Sequence, residues 1–254
     1  MSILDQMIDE GSSTKFMAQG SEAWEQFRVG RFTSSELWKI MECGTRDMTP
    51  EELAMRPKSG AGSRTTKIAD PSIMNDRGMS YIYQKVAETL TQKPKPSTYA
   101  YPLVYGKENE PFAADYFQKY IGCELLEIGF QCFGDHAGGS PDRIFEKDGI
   151  KMGLEIKCPF MSENQIKYLL LKDAQELKVS YPEYYWQCLS LMVFCDCNVW
   201  HFMTYDSRFE DAKYMMSHMV IDGNNPEIKA DQDRIMTAIE AAVKIKLQVL
   251  EKIK

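Results

Sequence analysis

The chain has 254 residues, a net charge of −7, and 44% hydrophobic and 26% charged side chains. That length supports one large domain with a full core, and the composition excludes a disordered chain. The acidic balance excludes a protein that wraps nucleic acid over its whole exterior, so any DNA-binding surface must be confined to a local basic channel.

Residues 1–20 are polar with a short apolar start and read as a loosely held N-terminal arm. Ser21 is placed to cap a short helix to Arg28, with Trp24 and Phe27 on its apolar side and Gly30 ending it. Thr33-Ser34-Ser35-Glu36 is a capping-box pattern that opens a second helix through Met41, carrying Leu37, Trp38 and Ile40. Free N–H groups and hydroxyls at such a start attract anions, and Arg28 just before it can fork onto a phosphate. On the residues alone, the plainer reading of a capped helix with a surface arginine prevails. Residues 43–75, punctuated by Pro50, Pro57 and Pro71, read as a mobile loop, with a small, basic run from Lys58 to Lys67.

Met79, Ile82, Val86 and Leu90 stand at helical spacing and predict a helix over 79–90. A connector with three prolines follows at 93–102. A further helix then opens at Leu103 and runs to about Tyr120, with Phe112, Ala113, Tyr116 and Phe117 inward and Gly122 as its stop. By spacing alone Glu110 is a helix-start acid favoured by the dipole. Residues 125–133 read as a strand leading into a turn with Gly134, Gly138 and Gly139, where His136 reads as incidental.

Ser140 to Phe160 reads as a β-hairpin. Asp148-Gly149 is a two-residue turn signal, because a type I′ turn needs φ > 0 at both positions. In the second arm Ile150, Met152, Leu154, Ile156 and Cys158 point one way, and Lys151, Gly153, Glu155 and Lys157 the other. Glu155 and Lys157 thus share a face about 7 Å apart. Asp142, on the first arm, can be brought beside Glu155. Two close carboxylates repel unless a cation lies between them, and oxygen ligands favour Mg²⁺ or Mn²⁺. A hard divalent ion beside a lysine suits phosphodiester hydrolysis. A bare ExK is an ordinary strand face; a Pro-Asp, a turn and ExK in this order point to a site.

After the hairpin, Ser162 to Gln165 is a capping box for a helix to about Leu177. Ser180 to Glu183 starts another, with proline in its first turn, that carries Tyr184, Tyr185, Trp186 and Gln187. Seven cysteines, an odd count without a CxxC pair, make zinc and a disulfide framework unexpected and fit a reducing cytoplasm. Cys195 and Cys197 read as buried filler beside Met192, Val193 and Phe194. Residues 199–204 and 214–221 read as strands at one sheet edge. A last helix over 231–254 aligns Ile235, Ile239, Val243, Leu247 and Leu250. No apolar run approaches a membrane span, and no signal pattern opens the chain.

The Pro-Asp, hairpin and ExK constellation resembles the signature of the PD-(D/E)xK nuclease superfamily. GLEIKCPF followed by a polar helix start resembles the phage lambda exonuclease, or YqaJ-type viral recombinase, family, and the likeness runs from about Trp24 to the C-terminus. It implies an α/β fold with a restriction-endonuclease-like core, a mixed central sheet flanked by helices, in one nuclease domain over 1–254. The 43–75 stretch then reads as an insertion. WEQFRVGRFTSSE is similar to the family's 5′-phosphate segment, which implies Arg28 and Ser35, with Ser140, as phosphate contacts. LVYGKENE implies Glu110 as a catalytic carboxylate and Leu103 as a wedge between terminal bases. YYWQ implies Gln187 facing the metal site; where the family often has a second glutamine, this chain has Leu189. The resemblance further implies Asp142, Glu155 and the Ile156 carbonyl as ligands of Mg²⁺ or Mn²⁺, with Glu110 supporting a second ion or the nucleophile, and Lys157 as the catalytic lysine. The implied activity is a 5′→3′ exonuclease on linear double-stranded DNA that leaves 3′ overhangs. Its partners would be DNA ends, a single-strand annealing protein and two further copies in a ring, in the cytoplasm of a bacterial host. A related endonuclease is the alternative, and a DNA-end-binding module without catalysis is the reading from another class. The iron–sulfur helicase-linked nucleases need four grouped cysteines, which this chain lacks.

Overall fold

The computed structural model describes residues 19–55, 66–96 and 100–254. The first elements in chain order are α1 (Glu22–Phe27), β1 (Phe32–Thr33), a 3-10 helix (Ser34–Ile40), β2 (Cys43–Asp47), α2 (Pro50–Ala54) and β3 (Lys67–Met74). Next come α3 (Asp76–Thr91), α4 (Tyr101–Ile121), β4 (Gln131–Phe133), β5 (Ala137–Gly139), β6 (Arg143–Lys147) and β7 (Ile150–Lys157). The remainder is α5 (Ser162–Leu169), α6 (Ala174–Ser180), α7 (Pro182–Phe194), β8 (Val199–Tyr205), α8 (Ala212–Met215), β9 (Met216–Asp222) and α9 (Pro226–Lys252). No described helix is long and apolar enough to cross a membrane.

The main sheet has the order β6-β7-β8-β9. Its β6/β7 and β8/β9 pairs are antiparallel and β7/β8 is parallel. The parallel pair requires a crossover, which α5, α6 and α7 provide. Asp148 and Gly149 both take positive φ, 55° and 75°, as the predicted turn requires. Alternation sends Phe145, Leu154, Ile156, Met203 and Tyr205 to one face, under Ala113 and Phe117 of α4. Ile144, Trp200 and Phe202 go to the other face, packed with Leu189 and Leu191 of α7 and Ile235 and Ile239 of α9. Each such side chain removed from water stabilises the fold by about 1.5–3 kcal/mol. A β-carbon on Gly153 would stand 2.0 Å from Cζ3 of Trp200, its neighbour across the parallel pair, so the indole takes the glycine's space. A small sheet, β1-β5-β4, and the β2-β3 pair complete the β-structure among the described residues.

The 43–75 stretch is not a loop where it is described: β2 pairs with β3, and α2 lies between them. Thr49 and Glu52 form a capping box with Pro50 in the first turn, so that proline starts a helix where it was expected to punctuate a loop. Arg46 binds Glu52 through two contacts of 2.7 Å and closes the arm. Most of the basic run, 58–65, and the N-terminal arm up to residue 18 lie outside the described residues. The Thr33 capping box does not form. The Thr33 N–H donates to the Tyr81 hydroxyl at 2.9 Å, Glu36 pairs with Lys39, and the segment winds as a 3-10 helix.

The helix expected over 162–177 is two helices. Asp173 caps the second by accepting from Gln175 and Glu176 N–H, while the first starts after Met161 without a side-chain cap. Ser180 ends α6 rather than capping α7, which starts after Tyr181. Only 131–133 of the 125–133 strand is regular, with an isolated bridge from Leu126 to Ile144. Residues 214–215 are helical. Of the two late strands only β9 is an edge; β8 lies inside the sheet, buried along most of its length. Leu90, Phe112 and Leu247, expected inside, are exposed.

Candidate active site

The β6/β7 register pairs Arg143 with Leu154 and Lys147 with Ile150. One step further places Asp142, just before β6, opposite Glu155, as the hairpin reading expects. The Ile156 N–H donates to Asp142 Oδ2 at 2.6 Å. The N–H and C=O of one strand residue face the same neighbour. The Ile156 carbonyl is therefore also directed toward the Asp142 side, beyond the last β6 pair. Glu155 is almost fully buried and forms an ion pair with Lys157 through Oε1, while its Oε2 has no hydrogen-bond partner. Lys157 also donates to Gln187 Oε1 at 3.3 Å and lies 5.0 Å over the Tyr184 ring, so α7 holds the ammonium from one side.

Glu110 arrives from the opposite layer. It lies in the third turn of α4, which begins at Tyr101, so its position owes nothing to a helix start. Arg143 donates to it at 3.0 Å and pairs with Glu127 at 2.9 Å. Sequence reasoning missed Arg143. The signal was alternation: the residue after Asp142 must point to the other face, where α4 packs.

The electrostatics follow from crowding. Desolvation and then the charge of Asp142 push Glu110 up to about 7. Asp142 is raised by desolvation and by Glu155, and Glu155 itself is raised chiefly by its burial. Desolvation opposes the Lys157 ammonium, but the Glu155 and Asp142 carboxylates outweigh it and keep the lysine charged.

Among the described residues no group of three His, Cys, Asp or Glu side chains forms a ready-made metal cage. The donors present nevertheless fit an open site for a hard divalent ion. Two buried carboxylates, one raising the proton affinity of the other, an unpartnered buried carboxylate oxygen and a strand carbonyl are all oxygen ligands.

A cavity of about 640 Å³ contains Arg28, Lys85 and Leu103 in its wall, with Trp24, Glu36 and Glu88. The Arg28 guanidinium stacks 3.9 Å over the Trp24 ring, and Trp24 Nε1 donates to Ser140 Oγ at 2.9 Å. Ser140 is two residues before Asp142, so this chain of contacts joins the cavity to the carboxylates. Ser35 is exposed on the 3-10 helix and does not line the cavity. Leu103 is 63% exposed. The structure thus gathers Asp142, Glu155, Ile156, Lys157 and Gln187, brings Glu110 beside them, and sets Arg28 and Leu103 in the cavity wall with Ser140 one hydrogen bond behind Trp24; Ser35 stands apart. Cys195 and Cys197 are buried, as expected of filler.

Residues 51–198 match the family model of the YqaJ-like viral recombinase domain. No curated protein matches the chain. Among solved structures, an alkaline exonuclease, LHK-Exo, from Laribacter hongkongensis is similar at 19% identity and TM-score 0.65, over 92% of this chain and 96% of that one. LHK-Exo in complex with dAMP is similar at 20% identity and TM-score 0.64, with the same coverage. A phage-related exonuclease from Haemophilus somnus 129PT is similar at 14% identity and TM-score 0.60, over 88% of this chain and 96% of that one. These likenesses establish the restriction-endonuclease-like fold: a mixed sheet flanked by helices.

Proposed function

The chain belongs to the YqaJ-like viral recombinase domain family, and from that premise we propose that it is a metal-dependent exonuclease that degrades one strand of linear double-stranded DNA from its 5′ end. The observation that carries this reading is the meeting of Asp142 and Glu155 across the hairpin, with an unpartnered Glu155 oxygen and Lys157 on the same face. Asp142, Glu155 and the Ile156 carbonyl would hold Mg²⁺, or Mn²⁺ in its place, with Glu110 at the margin of the site. Such an ion supplies charge neutralisation and polarisation of the scissile phosphate.

The chain's own residues account for the rest. Lys157, fixed by Glu155 and Gln187, offers a permanent positive charge to the negative charge that develops during attack. Glu110, anchored on Arg143 beside the carboxylates, would support the attacking water or a second ion. Arg28 offers a fork to a terminal 5′-phosphate, Ser140 supports it through Trp24, and Leu103 stands at the cavity as a wedge for terminal bases. Ser35 remains part of this reading only if DNA brings its helix inward. Holding the 5′ end beside the carboxylates fixes direction and leaves a 3′ overhang. Such an overhang is the substrate of a single-strand annealing protein, the partner this reading assigns. The dAMP bound by LHK-Exo belongs to the class of mononucleotide that stepwise hydrolysis releases.

The reading is tested by incubating linear and covalently closed circular duplex DNA with the protein, with and without Mg²⁺. Loss of linear DNA alone, and only with the ion, supports it. Cutting of circles makes the protein an endonuclease, and degradation of neither makes it an end-binding module.

A further inference from the structure

A buried charge cluster stands behind the Arg28 cavity, and the chemistry above does not use it. Gly30, in the turn after Arg28, has a positive φ of 72°. Its N–H donates to Glu88 Oε2 at 3.0 Å, and its carbonyl accepts from Lys246 Nζ at 2.7 Å. Glu88 also accepts from Lys85 at 2.9 Å and from Gln84 at 2.8 Å. Lys85, Glu88 and Lys246 are each at most 5% exposed.

The charges in this cluster do not balance. Arg28, Lys85 and Lys246 are three cations around one buried carboxylate, Glu88. Glu36 and Glu25 also line the cavity; Glu36 is engaged by Lys39, and the exposed Glu25 shares the wall with the exposed Lys95. Desolvation lowers the proton affinity of Arg28, Lys85 and Lys246 alike. Removing a cation from water without a counter-charge is costly, and an anion drawn in from solution offsets that cost. Lys246 is turned to the Gly30 carbonyl and does not line the cavity. Arg28 and Lys85 do line it, so two cations that are not exposed face the same space, with the exposed Lys95 as a third in the wall. Two positive charges on one wall match a phosphate dianion better than the single negative charge of an internal phosphodiester.

We propose that Lys85 is a specificity-determining residue that binds the terminal 5′-phosphate together with Arg28, while Glu88 and Lys246 are positioning residues that fix the Gly30 turn. This rests on the reading that the cavity receives the 5′ end. A charge-assisted contact of this kind sets an expected effect of about 10- to 100-fold.

The test compares initial rates on linear duplexes bearing 5′-phosphoryl or 5′-hydroxyl ends. The parent protein is expected to prefer phosphoryl ends. Lys85→Met, which keeps the aliphatic stem and leaves Glu88 bonded to Gly30 and Gln84, should cut that preference by the factor above, mainly through KM for phosphoryl ends. Lys85→Arg should restore most of it. A thermal melt shows whether each variant folds, and Lys85→Gln replaces the methionine variant if that one does not. If Arg28→Ala erases the preference and the Lys85 variants keep it, the proposal fails while the end-pocket reading stands. If the parent degrades linear DNA without regard to the end group, the end-pocket reading fails and takes the proposal with it.

Discussion

The proposed hydrolysis depends on three side chains, Asp142, Glu155 and Lys157. Neutral amides hold a divalent ion poorly, whereas the phosphate contacts of a DNA end lie elsewhere. Asp142→Asn and Glu155→Gln are each expected to abolish hydrolysis while end binding, measured by fluorescence anisotropy, survives. Near-parental hydrolysis in either variant would remove it from the site. The Lys157 ammonium acts on charge that develops during attack, so Lys157→Ala should lower turnover by about 10²–10³ with a modest loss of end affinity. A fall in affinity with turnover intact at saturating DNA would make the lysine a phosphate anchor instead. These three residues were legible in the sequence because a two-residue turn and strict alternation set the hairpin register, and the register sets which side chains meet. The partners that tune them were harder to read. Arg143 binds Glu110 across 33 positions of chain, and Lys246 reaches Gly30 across 216. Contacts at that separation depend on how helices dock on the sheet, which no local pattern encodes.

At the scale of elements, the hairpin, the Gly122 helix stop and the long last helix follow from local chemistry that tertiary packing does not oppose. The 43–75 stretch departs from a loop because Thr49-Pro50-Glu51-Glu52 spells a helix start, with the proline in the first turn. Alternation alone leaves open whether the polar face of β7 meets solvent. It is buried, because α7 covers it, and the Lys151 ammonium there donates to the Cys195 carbonyl. The β8–β9 pair carries a feature with a pH consequence. His201 Nδ1 and His218 Nε2 stand 2.7 Å apart, their rings stacked beside Phe117. Burial, and then the neighbouring His218, hold His201 at about 4, below its ordinary 6.5. Between those values the unfolded chain binds more protons than the folded one. The contribution of His201 to stability is therefore complete above about 6.5 and is lost as pH falls toward 4. The urea midpoint should fall further between pH 7 and pH 5 in the parent than in His201→Gln. Equal falls in the two proteins would show that the pair does not carry this dependence.

At the scale of the whole molecule, a net charge of −7 must be reconciled with a polyanionic substrate. Two of the positive side chains in the cavity wall, Arg28 and Lys85, are withdrawn from the surface, so the exterior can stay acidic while the end is drawn inward. A ring of three copies would enclose the duplex and extend that confinement. Native mass spectrometry is expected to give three times the 29.2 kDa chain, and a monomer at working concentration would rule the ring out. The central claim is directional, end-dependent hydrolysis by the Asp142–Glu155–Lys157 site. It is tested most directly by label release from one linear duplex carrying a 5′-phosphoryl end, tagged in parallel samples at its 5′ or its 3′ terminus, in the presence of Mg²⁺. The 5′ label is expected to leave first, as mononucleotide, with the complementary strand intact as a 3′ overhang. Release of the 3′ label first, or the appearance of internal fragments, would contradict it.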